Sequence, residues 1–140
     1  MLYDKKWDKE LPVDTFKSAT ELKITVEEHT ALQQVLQMME NGEIKDYNPY
    51  NVLSEQRGKV LSMPLAYRKY KCGTVACIGG WAAILMGKNP AGYVGMSFSP
   101  SLHNLYYGKL CDVKVKEAIT ALRNFLTTGK PNWAETSGSN

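Results

Sequence analysis

The chain has 140 residues, 44% of them hydrophobic and 22% charged, the size and make-up of one globular domain with a single core. That balance excludes an intrinsically disordered chain and a protein built from membrane spans. A net charge of +3 is too mild to imply nucleic acid without local clustering.

Taken in chain order, the first ten residues, MLYDKKWDKE, carry six charges and are followed by Pro12, so residues 1–15 are expected to form a flexible arm. A single helical domain is expected over 16–134. The alternation L-K-I-T-V at 22–26 would suit a strand, but Thr25 followed three residues later by Glu28 is a capping box, and it starts a helix. Leu32, Val35, Leu36 and Met39 recur at helical spacing, and Asn41-Gly42 stops them. His29 borders that apolar stripe and reads as a satisfied edge residue. Asn48-Pro49 predicts a short helix to about Gln56, and a second helical turn is expected from Ser62 to about Lys69.

Between residues 72 and 87 the sequence CGTVACIGGWAAILMG contains no charge. Thr74 to Met86 reads as a helix about 20 Å long, apolar on every side, and therefore the buried centre of the domain. Gly79-Gly80 inside it weakens the helix, which implies that another element or a ligand approaches closely there. Residues 88–100 read as a loop or hairpin rim. Ser101 is expected to cap a short helix closed by Gly108. Asp112 is expected to cap a long one carrying Val115, Ala118, Ile119, Leu122, Phe125 and Leu126, with Gly129 and Pro131 as its stop. Trp133 folds back on the core, and 135–140 is a disordered polar tail. The expected fold class is mainly α, with at most a small β element.

Chemistry could sit at the start of the apolar run. If the helix begins there, its free N–H groups and dipole favour an anion, Gly73 permits close approach and Thr74 supplies a hydroxyl. Cys72, Gly73 and Thr74, with Tyr70, Lys71 and Trp81, are the expected ligand-binding residues. Five basic residues (Arg57, Lys59, Arg68, Lys69 and Lys71) lie between Glu55 and Lys71, just before the apolar run, against one acid, Glu55. The competing reading makes Cys72 the nucleophile of a hydrolase or transferase, its thiol acidified by the same helix start and by Lys69 and Lys71. His29 and His103 are the only histidines available as its base. No metal site is expected, because Cys72, Cys77, His103 and Cys111 match no trusted zinc spacing, and no cofactor motif is present. The odd number of cysteines argues for free thiols in a reducing compartment, hence the cytoplasm.

Four blocks spanning most of Thr25 to Glu135 carry a resemblance: EHTALQQVLQMMENGEI, CGTVACIGGWA, LHNLYYG and EAITALRNFLTTGKPNWAE. Together they resemble a group of small uncharacterised proteins of bacteriophages, prophages and bacteria. The resemblance implies an accessory protein of phage or mobile-element origin working in the cytoplasm of a bacterial host. No activity is established for the group, so no residue inherits a role from it. The expected function is non-enzymatic binding, either sequestering a small anionic, nucleotide-like ligand or blocking a host protein such as a defence component. Nucleic acid and membrane are not expected partners, and self-association is left open.

Overall fold

The computed structural model describes residues 16–46, 57–63, 68–70, 72–109 and 113–134. The expected arm, the tail, the helix at 48–56 and the capping role of Asp112 lie outside them.

The first two helices among the described residues start at capping boxes. Ser18 and Glu21 exchange side-chain and backbone hydrogen bonds to open α1 (Ala19–Leu22), and Lys23 closes it in the left-handed conformation. Thr25 and Glu28 do the same for α2 (Val26–Glu40), so the strand alternative at 22–26 falls to the cap. Asn41 and Gly42, at φ 78°, end α2. His29 sits as expected: its Nε2 lies 2.8 Å from the Lys17 carbonyl and its Nδ1 2.8 Å from the Gln33 amide nitrogen.

A small four-stranded sheet follows, made of β1 (Ile44–Asp46), β2 (Arg57–Leu61), β3 (Arg68–Tyr70) and β4 (Cys72–Ala76). Its order is β1-β2-β4-β3, with β1, β2 and β4 parallel and β3 antiparallel to β4. Two expectations are corrected here. Arg68–Tyr70 is a strand where a helical turn was expected. Cys72–Ala76 is a strand, so the central helix does not begin at Thr74. Thr74 and Val75 are β-branched and suit a pleated ladder, and β4 finds partners on both sides.

The central helix is α3 (Ile78–Met86), with Cys77 extended at its N-cap and Gly87, at φ 74°, closing it. Residues 78–83 are buried, which is the expected all-round apolar centre, but the last turn reaches the surface at Leu85. Residues 88–100, expected as a loop, are mostly helical. Asn89 caps a single turn, α4 (Pro90–Gly92), through its Oδ1 and the Gly92 N–H. A π-helical turn, Tyr93–Ser97, continues from it and buries Tyr93 and Val94. A 3₁₀ turn, Pro100–Leu102, leads into α5 (His103–Tyr107). Ser101 does not cap α5; its hydroxyl donates to the carbonyls of Leu22 and Lys23 and ties this region to the end of α1.

Next along the chain is α6 (Val115–Thr128), closed by Gly129 at φ 90°. Its backbone N–H at Val115 donates to Asp46 Oδ1 at 2.7 Å, joining the sheet edge to the helix start. Leu32 and Leu36 of α2, Ile78 of α3, Leu105 and Tyr106 of α5, and Leu122, Phe125 and Leu126 of α6 form the centre of one core. Trp133 folds onto it, its indole N–H donating to the Asn104 carbonyl at 2.9 Å. The protein is thus mainly helical with a small sheet. No described helix is long and apolar enough to cross a membrane.

Candidate functional site

The expected ligand residues fall mainly in the sheet. Cys72, Gly73 and Thr74 open β4, which lies between β2 and β3, so their backbone is committed to strand pairing and not to a helix terminus. The helix-dipole argument for an anion there, and for an acidified Cys72, therefore fails in its original form. Tyr70 is the cross-strand partner of Gly73. Lys71 lies outside the described residues. Trp81 is buried in α3, and its indole N–H donates to the carbonyl of Val60 in β2 at 3.1 Å. The sheet thus brings Tyr70, Cys72, Gly73 and Thr74 together and leaves Trp81 as the strut beneath β2.

Register adds residues that the sequence reading had named only as a basic stretch. Lys59 of β2 and Lys69 of β3 are both Cα partners of Thr74, one on each side. Arg57 pairs with Cys72 and Arg68 with Val75. The three strands β2, β3 and β4 carry these four cationic residues and no acid. Lys59 is exposed.

The residue at the start of the central helix is Cys77. It is 2% exposed, and its Sγ accepts from the Gly80 N–H at 3.3 Å. Burial pushes its thiol pKa up, against the helix N–H groups of Gly80 and Gly79 that pull it down. A thiol held protonated in the core is a cap, not a nucleophile.

A second cluster of ionisable groups lies inside the fold. Glu28 is 3% exposed, yet its carboxylate accepts four hydrogen bonds. Oε1 takes the Thr25 N–H at 2.9 Å and the Ser99 hydroxyl at 2.5 Å; Oε2 takes the Tyr93 hydroxyl at 2.7 Å and the Ser99 N–H at 3.0 Å. The Tyr93 hydroxyl lies 2.8 Å from that of Tyr106, and since the Tyr93 proton faces Glu28, Tyr106 is the donor between them. Burial alone would raise the Glu28 pKa, but the bonds from Ser99, Thr25 and Tyr93 outweigh it and hold the carboxyl below its ordinary range. Burial drives both tyrosines upward, so they stay neutral. Every acceptor site of the carboxylate is occupied from within the protein, which makes this a structural hub. Sequence reading found Glu28 as half of a capping box and missed its other half, because Tyr93 and Ser99 are 65 and 71 positions away.

Two surface features remain. An open groove of about 400 Å³ runs between the start of α2 and the end of α3, with Val26, Ala31, Leu85 and Met86 among its lining residues and the Glu27–Lys88 ion pair near it. Near the π-helical turn, Phe98, His103 and Tyr107 stack at centroid distances of 5.3–6.5 Å, and Met96 is 91% exposed. Among the described residues no group of three or more His, Cys, Asp or Glu could hold a metal ion. Comparison with protein-family models, curated proteins and solved structures returns no match to this chain.

Proposed function

We propose that the protein is a non-enzymatic binding protein, an accessory of the phage or prophage type, that captures a small anionic ligand in the host cell stoichiometrically. The observation that carries this reading is the unbalanced charge of the sheet: four cationic residues on three adjacent strands with no acid among them. The buried reactive groups favour binding over catalysis. Glu28, Tyr93, Tyr106 and Cys77 are all engaged in hydrogen bonds that hold the fold. A host protein as target draws support from the Val26–Leu85 groove, which carries less of the argument because nothing about it selects a partner.

The test is to denature protein purified from its bacterial host and weigh the small molecules released. An anionic compound at about one per chain is the expected result. Protein that releases nothing, together with a Cys72 thiol that reacts far faster than free cysteine at neutral pH, would replace this reading with the cysteine-dependent enzyme.

A further inference from the structure

Residues 89–108 contain no Asp, Glu, Lys or Arg, in a chain that is 22% charged. They run from the Asn89 cap through α4, the π-helical turn and the 3₁₀ turn to the end of α5. Only Tyr93, Val94, Leu102, Leu105 and Tyr106 of this stretch are buried, and the other fifteen residues keep part or most of their surface in solvent. Met96, at 91%, is the most exposed large apolar side chain among the described residues. Phe98 follows two residues later and stacks with His103 and Tyr107, whose hydroxyl donates to the Val94 carbonyl at 2.5 Å and so ties the rings to the turn that carries Met96.

The rim of this face adds no unbalanced charge. Lys88 and Lys109, which bracket the stretch, lie 3.9 Å from Glu27 and 3.2 Å from Glu117. The carboxylate beneath it, Glu28, is buried and hydrogen-bonded by Tyr93 and Ser99. Depletion of charge with Met and aromatic rings in its place is the make-up of the core of a protein interface. The face is also held in shape, by Asn89 at its start, by Ser99 on Glu28 and by the Ser101 hydroxyl on the Leu22 carbonyl, so docking orders little that is not already ordered.

Charge selects the occupant. The chain carries +3, and a charged face brought against its own image sets like charges opposite one another, as the cationic sheet would. The 89–108 face meets its image without that cost. A membrane-docking patch ordinarily adds Lys or Arg for anionic lipid, and this face has none. We propose that the surface around Met96, Phe98, His103 and Tyr107 is the two-fold interface of a homodimer. In such an isologous contact the Met96 thioether of each copy packs against the rings of the other, a pairing that thioethers and aromatic rings favour. Stable interfaces take about 20–30 residues a side, more than this face offers, so the dimer is weak, with a Kd on the order of tens of micromolar.

Sedimentation equilibrium of the full-length protein from about 5 to 500 µM tests the interface. Wild type is expected to show a reversible monomer–dimer equilibrium within that range. Met96→Glu buries one carboxylate in each half of the contact and should weaken the dimer at least about tenfold. His103→Glu, an exposed position of α5, should weaken it likewise, so a misfolded Met96 variant does not end the test. Val26→Glu, on the α2–α3 groove, should dimerise like wild type. A wild type that is monomeric at 500 µM overturns the proposal, as does a dimer that both Met96→Glu and His103→Glu leave intact. Loss of the dimer in Val26→Glu alone moves the contact to the groove and overturns it as well. Monomer that co-sediments with phosphatidylcholine vesicles, and is released from them by Met96→Glu, replaces the second copy with a membrane.

Discussion

The Tyr93 hydroxyl donates to Glu28 Oε2 at 2.7 Å, joining two buried residues 65 positions apart. One partner belongs to the first turn of a long helix and the other to a π-helical turn. Because Ser99 adds two more bonds to the same carboxylate, the stretch from Tyr93 to Ser99 is held against α2 at both of its ends. Burying a carboxylate is costly unless it is fully hydrogen-bonded, and this one is.

Replacing Glu28 with Gln therefore tests more than one bond. The amide keeps the shape but presents N–H groups to the donors of Tyr93 or Ser99, and the stability lost should be about 2 kcal/mol or more in urea unfolding. The pH dependence has a definite sign. Since the folded carboxyl is held below its unfolded value of about 4.3, its contribution is complete above that pH and is lost as pH falls through the folded value. Wild type should lose stability on acidification below about pH 4, and Glu28→Gln should lose less over the same range.

The tyrosines act at the other end of the scale. Both are neutral in the fold with pKa values raised by burial, whereas in the unfolded chain each ionises near pH 10. Their contribution is complete below about pH 10 and declines as pH rises further. Tyr106→Phe should show a shallower alkaline decline than wild type, read from Tm between pH 9 and 11. An equally steep decline would show that other groups govern alkaline unfolding.

Gly79 is expected to be intolerant of a methyl group. A Cβ there would lie 3.0 Å from Val94 Cγ2 and 3.1 Å from Tyr106 Cδ2, and the Tyr106 ring is fixed by its hydroxyl and by Phe98 at 5.0 Å. Alanine improves helix propensity by about 1 kcal/mol, but overpacking costs about 1–3 kcal/mol. Gly79→Ala should thus lower Tm, while Gly95→Ala, whose Cβ meets nothing within 4 Å, should not.

Cys77 should be silent toward thiol reagents in the native protein and become reactive on unfolding, since its sulfur is buried and protonated. Cys77→Ala removes the acceptor for the Gly80 N–H and should cost about 1 kcal/mol, and Cys77→Ser, which keeps an acceptor, should cost less. Rapid labelling of native Cys77 would contradict its role as a cap.

Local signals were readable in the sequence and long-range ones were not. The Thr25–Glu28 box, the Asn41-Gly42 stop and the glycine ends of α3 and α6 each depend on residues within a turn of one another. Gly79 announced a close approach, although only the fold shows that Tyr106 and Val94 make it. Cys72–Ala76 was misread because a short apolar run next to a helix looks like more helix; its pairing with β2 and β3 decides the matter from outside the segment. The placement of Arg57, Lys59, Arg68 and Lys69 on adjacent strands was hidden for the same reason, since register is a property of three strands together. Asn89-Pro90 was a usable helix start that the glycines around it obscured.

In the proposed function the ligand chemistry lies on the sheet, while Glu28, Tyr93, Tyr106 and Cys77 serve the fold through their hydrogen bonds. Amide chemical-shift mapping by two-dimensional NMR during a pyrophosphate titration tests both halves at once. The predicted result is a saturable response centred on β2, β3 and β4, with Glu28 and Cys77 unmoved. A response centred instead on Cys77 to Gly80, or on the groove of Val26 and Leu85, would contradict it.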